Sequence, residues 1–88
     1  MYRIQWRRAV SRKLLAASAS ADSTSQTDIL AAMSRIESLL RNEPEFVGES
    51  RQADERLLIV EPLSVIYKIN HRKRIVHVLR AKVRRPNS

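Results

Sequence analysis

The stretch that decides the fold is residues 63–83, which have the sequence LSVIYKINHRKRIVHVLRAKV. Apolar residues alternate with polar ones towards both of its ends, which is the pattern of a strand with one buried face. Polar residues 70–73 separate the two runs. The pattern therefore predicts a β-hairpin with strands over 63–70 and 74–83.

Strict alternation along this hairpin assigns each side chain to one of two faces. The predicted core side carries Leu63, Val65, Tyr67, Ile69, Ile75, His77, Leu79 and Ala81. The predicted opposite face carries Ser64, Ile66, Lys68, Val76, Val78, Arg80, Lys82 and Arg84. A shift by one residue would bury three basic side chains, so we expect this register to resist slippage.

The residues before the hairpin predict a strand followed by two helices. Tyr2, Ile4 and Trp6 alternate with polar residues and predict an opening strand. Helical spacing of apolar residues predicts a first helix over 9–19 and a second over 28–41.

The boundaries of the second helix come from its flanking residues. Ser25 and Asp28 are the predicted N-terminal cap, and Asn42 with Pro44 provides the stop. The polar stretches 18–27 and 43–55 are predicted to be loops.

A short strand over 56–60 completes the prediction, because this run is rich in Leu, Ile and Val and ends at Glu61-Pro62. The element order is then β-α-α-β-β-β. The sequence predicts an α+β fold, with a small antiparallel sheet and two N-terminal helices packed on one face. A chain of 88 residues is too short to divide between two cores, so residues 1–88 are expected to form a single domain.

The composition excludes several kinds of site. The chain has no Cys and only two His, so we expect no disulfide, no metal and no cofactor. A single Gly cannot build a glycine-rich phosphate loop. No apolar run approaches the roughly 20 residues of a membrane span, so we expect a soluble, cytoplasmic protein without a membrane partner.

The charge balance points to an anionic partner. Seventeen Lys and Arg against nine Asp and Glu give a net charge of +8. All nine acids fall between residues 21 and 61, so both ends of the chain are basic and free of acids. Such a distribution favours nucleic acid, a ribosome or an acidic protein as the partner.

The layout resembles the RelE/ParE toxin superfamily of type II toxin–antitoxin systems. The resemblance rests on the run from Arg56 to Ile69, RLLIVEPLSVIYKI, and on the closing run from Ile75 to Arg85, IVHVLRAKVRR. It implies a small plasmid-stabilisation toxin that an acidic antitoxin neutralises. Some members of the superfamily cut messenger RNA on the ribosome, and others poison DNA gyrase without a nuclease site.

The chain departs from the RNA-cutting branch at several positions. That branch usually has an Arg where this chain has Ser64, and Lys residues where it has 57–59, LLI. It often has a Tyr after the last strand, whereas this sequence ends at Ser88. What aligns with its active residues is Arg84, with Arg80 and Lys82 beside it, so the resemblance leaves enzymatic activity open.

RNA cleavage also needs a base and an acid, and the sequence offers neither clearly. His71 lies in the predicted turn, while His77 and Tyr67 lie on the predicted core side. We therefore expect a binding function, in which one set of cations engages the anionic partner. That set is Lys68, Arg80, Lys82, Arg84 and Arg85.

Three alternatives remain open at this point. The first is a ribosome-dependent messenger RNA endoribonuclease with a substituted set of residues. The second is a generic nucleic-acid-binding module, which lacks exposed aromatic pairs for stacking. The third is a targeting peptide over residues 1–21, which are basic and Ser-rich but have a poor hydrophobic segment.

Overall fold

A computed structural model describes residues 1–84 and shows two helices and five strands. In chain order they are β1 (Arg3–Trp6), α1 (Arg8–Ser20), α2 (Ser23–Asn42), β2 (Glu49–Ser50), β3 (Arg56–Val60), β4 (Leu63–Asn70) and β5 (Ile75–Val83). The predicted α+β class is confirmed. The predicted loop 43–55 contains one addition, the two-residue strand β2.

The strands form one sheet in the order β1-β5-β4-β3-β2. Neighbouring strands are antiparallel except for β1 and β5, which run parallel with Arg3 opposite Ile75 and Trp6 opposite Val78. The predicted antiparallel sheet is therefore mixed at one edge. Because β1 ends opposite Val78, it leaves residues 79–83 of β5 without a partner strand on that side.

Helix α2 begins at Ser23, earlier than the sequence predicts. Its N-cap is Asp22, whose carboxylate accepts a hydrogen bond from the backbone N–H of Ser25 at 2.8 Å. The hydrogen bonds that Ser25 donates to this carboxylate hold the pKa of Asp22 below its usual value. The prediction that Ser25 and Asp28 cap this helix is wrong, because Asp22 satisfies the free N–H groups a turn earlier.

Both helices pack on one face of the sheet, and the core lies between the helices and the sheet. Its buried side chains are Tyr2 from the chain start, Val10 and Leu14 from α1, Ile29, Ala32, Ile36 and Leu40 from α2, and Leu58, Leu63, Val65, Tyr67, Val76, Val78 and Ala81 from the sheet. Ile4 and Trp6 pack against this cluster, which confirms the predicted inward face of β1. The predicted placement of both helices on one face is also confirmed.

A β-bulge in β5 divides the strand into two phases. Ile66 lies opposite Arg80, but the next residue, Tyr67, lies opposite Val78, so Leu79 is the extra residue. Strict alternation is therefore wrong for the first half of β5. Val76 and Val78 are fully buried on the core side.

The same bulge moves the other residues of that half strand outward. Ile75, His77 and Leu79 are half-buried and face away from the helices, whereas the sequence places them in the core. Beyond the bulge the prediction is confirmed, since Ala81 is buried and both Arg80 and Lys82 are exposed. One extra residue thus reconciles two halves of the strand that alternate out of step.

The segment between α2 and β3 is held on the core by Tyr67 and Arg56. The Tyr67 hydroxyl donates to the carbonyl of Pro44 at 2.6 Å, and burial raises the pKa of this hydroxyl. A Cβ at Gly48 would collide with the Tyr67 hydroxyl and lie 2.9 Å from the carbonyl oxygen of Leu57. The close approach explains the only glycine of the chain.

The Arg56 guanidinium fastens the same segment from the side. It donates to the Ser50 Oγ at 2.9 Å, to the Glu45 carbonyl at 2.8 Å and to the Gly48 carbonyl at 2.6 Å. Planar guanidinium groups suit such a set of acceptors because their N–H groups are fixed in a fork. Arg56 therefore ties β3 to a segment that is otherwise largely exposed.

The bulge makes a prediction for two adjacent residues of β5. Val78→Ala removes buried methyl groups and is expected to lower the free energy of unfolding by about 2 kcal/mol. Leu79→Ala trims a half-exposed side chain and is expected to cost less than about 1 kcal/mol. Urea denaturation of both variants measures the difference. A larger loss for Leu79→Ala would restore strict alternation and contradict the bulge.

The hydrogen bonds of the Arg56 guanidinium lead to a second prediction. Arg56→Lys keeps the charge but loses the fork, so we expect the free energy of unfolding to fall by about 1–2 kcal/mol. Arg51→Lys is the matched control, because Arg51 is exposed and only approaches Glu49, at 3.9 Å. Urea denaturation compares the two, and equal losses would show that the Arg56 hydrogen bonds do not hold the segment.

Candidate functional site

The sheet face turned away from the helices is called the outer face below. Its side chains are Arg3 and Gln5 from β1, Glu49 from β2, Leu57 and Ile59 from β3, Ser64, Ile66, Lys68 and Asn70 from β4, and Ile75, His77, Leu79, Arg80 and Lys82 from β5. No helix covers this face in the described part of the chain. The outer face is therefore the open surface of the fold.

Three of the predicted binding cations meet on the outer face. Lys82 lies opposite Ser64, Arg80 lies opposite Ile66, and Lys68 lies opposite His77. The three cations therefore follow one another along the hairpin, and they are called the cationic row below. Side chains of directly opposed residues lie within contact range of each other. The structure thus brings Lys68, Arg80 and Lys82 together, as the sequence predicts.

Arg84 is not with them. Its guanidinium pairs with the Glu61 carboxylate at 3.0 Å, and its side chain borders the space beside Asp28 and Pro62 at the helical side of the sheet. The prediction that Arg84 shares the face of Arg80 and Lys82 is wrong, because Arg84 follows the end of β5 and its guanidinium turns to Glu61 instead. The other predicted residue, Arg85, lies outside the described residues.

The outer face also has an apolar centre that the sequence analysis does not anticipate. Leu57, Ile59, Ile66 and Leu79 are all partly exposed there, with Ile59 at 47%. A groove of about 580 Å³ runs over three of them, between Arg80 and Lys82, and continues to the first turns of α1. The continuous apolar run 57–60 in β3 was a usable signal, since a strand that is apolar at every position presents apolar side chains on both faces of the sheet.

An ion pair occupies the middle of the cationic row. Arg80 donates to the Glu55 carboxylate with both terminal nitrogens, at 2.7 Å from Nη2 to Oε1 and 3.5 Å from Nη1 to Oε2. Glu55 directly precedes β3, so the pair bridges over β4. The sequence analysis treats this acidic residue as part of a loop, and its local sequence carries no signal of the pairing.

The two histidines lie in different surroundings. His77 is on the outer face, with Gln5 opposite on one side and Lys68 opposite on the other. His71 is in the β4–β5 turn, where its Nδ1 lies 3.4 Å from the Tyr2 hydroxyl. That hydroxyl donates to the Glu45 carboxylate at 2.9 Å, which raises the pKa of Tyr2.

The aromatic side chains give no stacking platform on the outer face. Tyr67 and Tyr2 are buried, and Trp6 packs against the core, as the sequence predicts. Phe46 is exposed but lies in the segment before β2. Within residues 1–84, the only ring on the outer face is the His77 imidazole, which does not favour the generic nucleic-acid module.

No set of three His, Asp or Glu side chains in the described chain has an arrangement that could hold a metal ion. Neither described helix combines the length and the apolar character required to cross a bilayer.

Comparison with solved structures identifies the fold. A chain of the toxin–antitoxin complex RelBE2 from Mycobacterium tuberculosis is similar, with a TM-score of 0.72, 23% identity and coverage of 94% of this chain and 98% of that one. A chain of the archaeal RelE–RelB complex from Pyrococcus horikoshii matches with a TM-score of 0.62, 20% identity and 94% coverage of both chains.

The isolated RelE toxin of Escherichia coli matches with a TM-score of 0.65 and 11% identity, over 99% of this chain and 88% of the toxin. No family model matches the sequence, and no curated protein matches it either. The chain therefore has the fold of RelE toxins, and the resemblance drawn from the sequence is confirmed at the level of the fold.

Proposed function

We propose that this chain is the toxin-like component of a type II toxin–antitoxin system, and that its outer face binds an acidic antitoxin polypeptide. The fold supports the first part, because similar chains come from complexes of RelE with RelB. The second part rests on one observation, the row of Lys68, Arg80 and Lys82 beside an apolar centre.

The mixture of charge and apolar surface favours a polypeptide over nucleic acid. An acidic amphipathic segment can bury apolar side chains on Leu57, Ile66 and Leu79 while its carboxylates meet the flanking cations. A nucleic-acid backbone would use only the cations and would leave the apolar centre uncovered. Opposite charges would also make association fast and sensitive to salt.

The proposed cellular target is a ribosome, a messenger RNA or a gyrase complex that the same cations contact. Antitoxin and target would then compete for one face, so binding of the antitoxin would neutralise the toxin. Such competition requires only that both partners are anionic and that both use the Lys68, Arg80 and Lys82 row.

Growth after induction tests this function. We expect expression of the chain in a bacterium to arrest growth, and Lys68→Ala, Arg80→Ala and Lys82→Ala together to abolish the arrest by removing the cationic row. If the adjoining reading frame encodes a short acidic protein, its co-expression is expected to restore growth. Colony counts after induction provide the measurement.

The matched control removes the same charge elsewhere. Arg12, Arg72 and Lys73 are exposed and lie outside the outer face, so their combined change to Ala is expected to leave the arrest intact. Equal loss of arrest in both triple variants would assign the effect to net charge alone. Unimpaired growth with the wild-type chain would contradict the toxin function.

A ribosome-dependent messenger RNA endoribonuclease is the second candidate, and the position of His77 favours it. The sequence analysis discounts this residue because strict alternation buries it, whereas the bulge puts it on the outer face beside Lys68. An imidazole next to cations could move a proton while the cations stabilise the charge on phosphate. Lys68, His77 and Arg80 would be the substituted set of residues.

Primer extension on translated message separates the two candidates. If the chain cuts RNA, new 5′ ends appear on induction, vanish in His77→Ala and persist in His71→Ala, whose ring lies in the β4–β5 turn. If it acts by binding alone, no new ends appear and His77→Ala still arrests growth. Cuts that survive His77→Ala would exclude this residue as the proton carrier.

A further inference from the structure

The Glu55–Arg80 pair differs from the other ion pairs of the described chain in its geometry. It is bidentate, and it crosses β4 to reach the centre of the outer face. The Glu55 side chain is only 19% exposed, whereas that of Arg80 is 59% exposed. The carboxylate is thus held close against the sheet while the guanidinium remains accessible from solvent.

Glu55 reaches the outer face from a segment with little support of its own. Residues 51–54 are all exposed, and Ala53 and Asp54 have positive φ angles of 57° and 64°. Such angles cost free energy for side chains other than Gly. The segment is closed by short-range bonds, from the Arg51 N–H to the Glu55 carbonyl and from the Glu55 N–H to the Gln52 carbonyl.

The cations on either side of Arg80 differ from it in their ion pairing. Lys68 and Lys82 are exposed, and neither pairs with a carboxylate of residues 1–84. Of the three cations in the row, only the middle one already has an internal anion. A ligand with a single carboxylate would have to compete with Glu55 for Arg80, whereas one with several would also gain the two lysines.

We infer that the Glu55 carboxylate occupies the position on Arg80 that a carboxylate of the acidic partner takes, and that the partner displaces it. This rests on the function proposed above and adds an internal competitor to it. The segment 51–55 moves off the face when the partner binds, because its buried contacts are few. Glu55 therefore weakens binding of all anions and favours partners with several carboxylates in a row.

Binding of poly-L-glutamate tests the inference at low salt. Glu55→Gln removes the competing charge, so we expect it to bind about three- to fivefold more tightly than the wild-type chain, as fits a surface ion pair of modest strength. Glu49→Gln is the matched control. It removes the same charge from the outer face, at a residue opposite Leu57 that is 80% exposed and approaches Arg51, at 3.9 Å, rather than Arg80. We therefore expect a gain below about twofold.

An Arg80→Gln background shows whether the gain passes through Arg80. We expect Glu55→Gln to have no further effect there, because the cation for which the two carboxylates compete is absent. Thermal unfolding of each variant confirms that the chains compared are folded. A gain that persists without Arg80 would overturn the inference.

The remaining outcomes separate this inference from the function on which it rests. Equal affinities of Glu55→Gln and Glu49→Gln, or weaker binding by Glu55→Gln, would overturn the competitor while leaving the acidic partner in place. Failure of every variant to bind either poly-L-glutamate or single-stranded oligouridylate would overturn both. A gain seen with single-stranded oligouridylate but not with poly-L-glutamate would replace the acidic polypeptide by RNA.

Discussion

The structure depends on a constraint in β5, which must keep all its polar side chains out of the core. His77 has odd parity and Arg80 and Lys82 have even parity, so no regular strand can place the three on one face. Burying an unpaired cation or an unpaired imidazole is costly. The extra residue at Leu79 removes the conflict, because it lets Val76 and Val78 pack under the helices while the polar residues share the outer face.

The outer face owes its chemistry to the same residue. The bulge adds Leu79 to the apolar centre and sets Arg80 beside His77 and Lys68. Because β1 ends opposite Val78, the groove continues past the free edge of β5 to α1. A regular β5 would give a face with valines in place of the histidine, and the surface would be more apolar and less able to bind anions selectively.

Much of the fold was predictable because its signals are local. The hairpin, the inward face of β1 and the order of the elements follow from alternation and helical spacing, and the outward positions of Lys68 and Lys82 follow from parity. The early start of α2 was not predictable from spacing, because Ser, Thr and Gln show no apolar stripe and the cap at Asp22 supplies the start. The parity conflict among His77, Arg80 and Lys82 was a signal for the bulge that strict alternation overlooked.

The sequence by itself determined the fold class, the basic character and the set of cations available for binding, because these depend on composition and on residues close in the chain. Only the tertiary structure decided how those cations are grouped. It separates Arg84 from the row by pairing it with Glu61, and it sets Glu55 on Arg80 across 25 positions of sequence. Such pairings arise when sheet register and chain turns bring distant side chains together, and no local pattern records them.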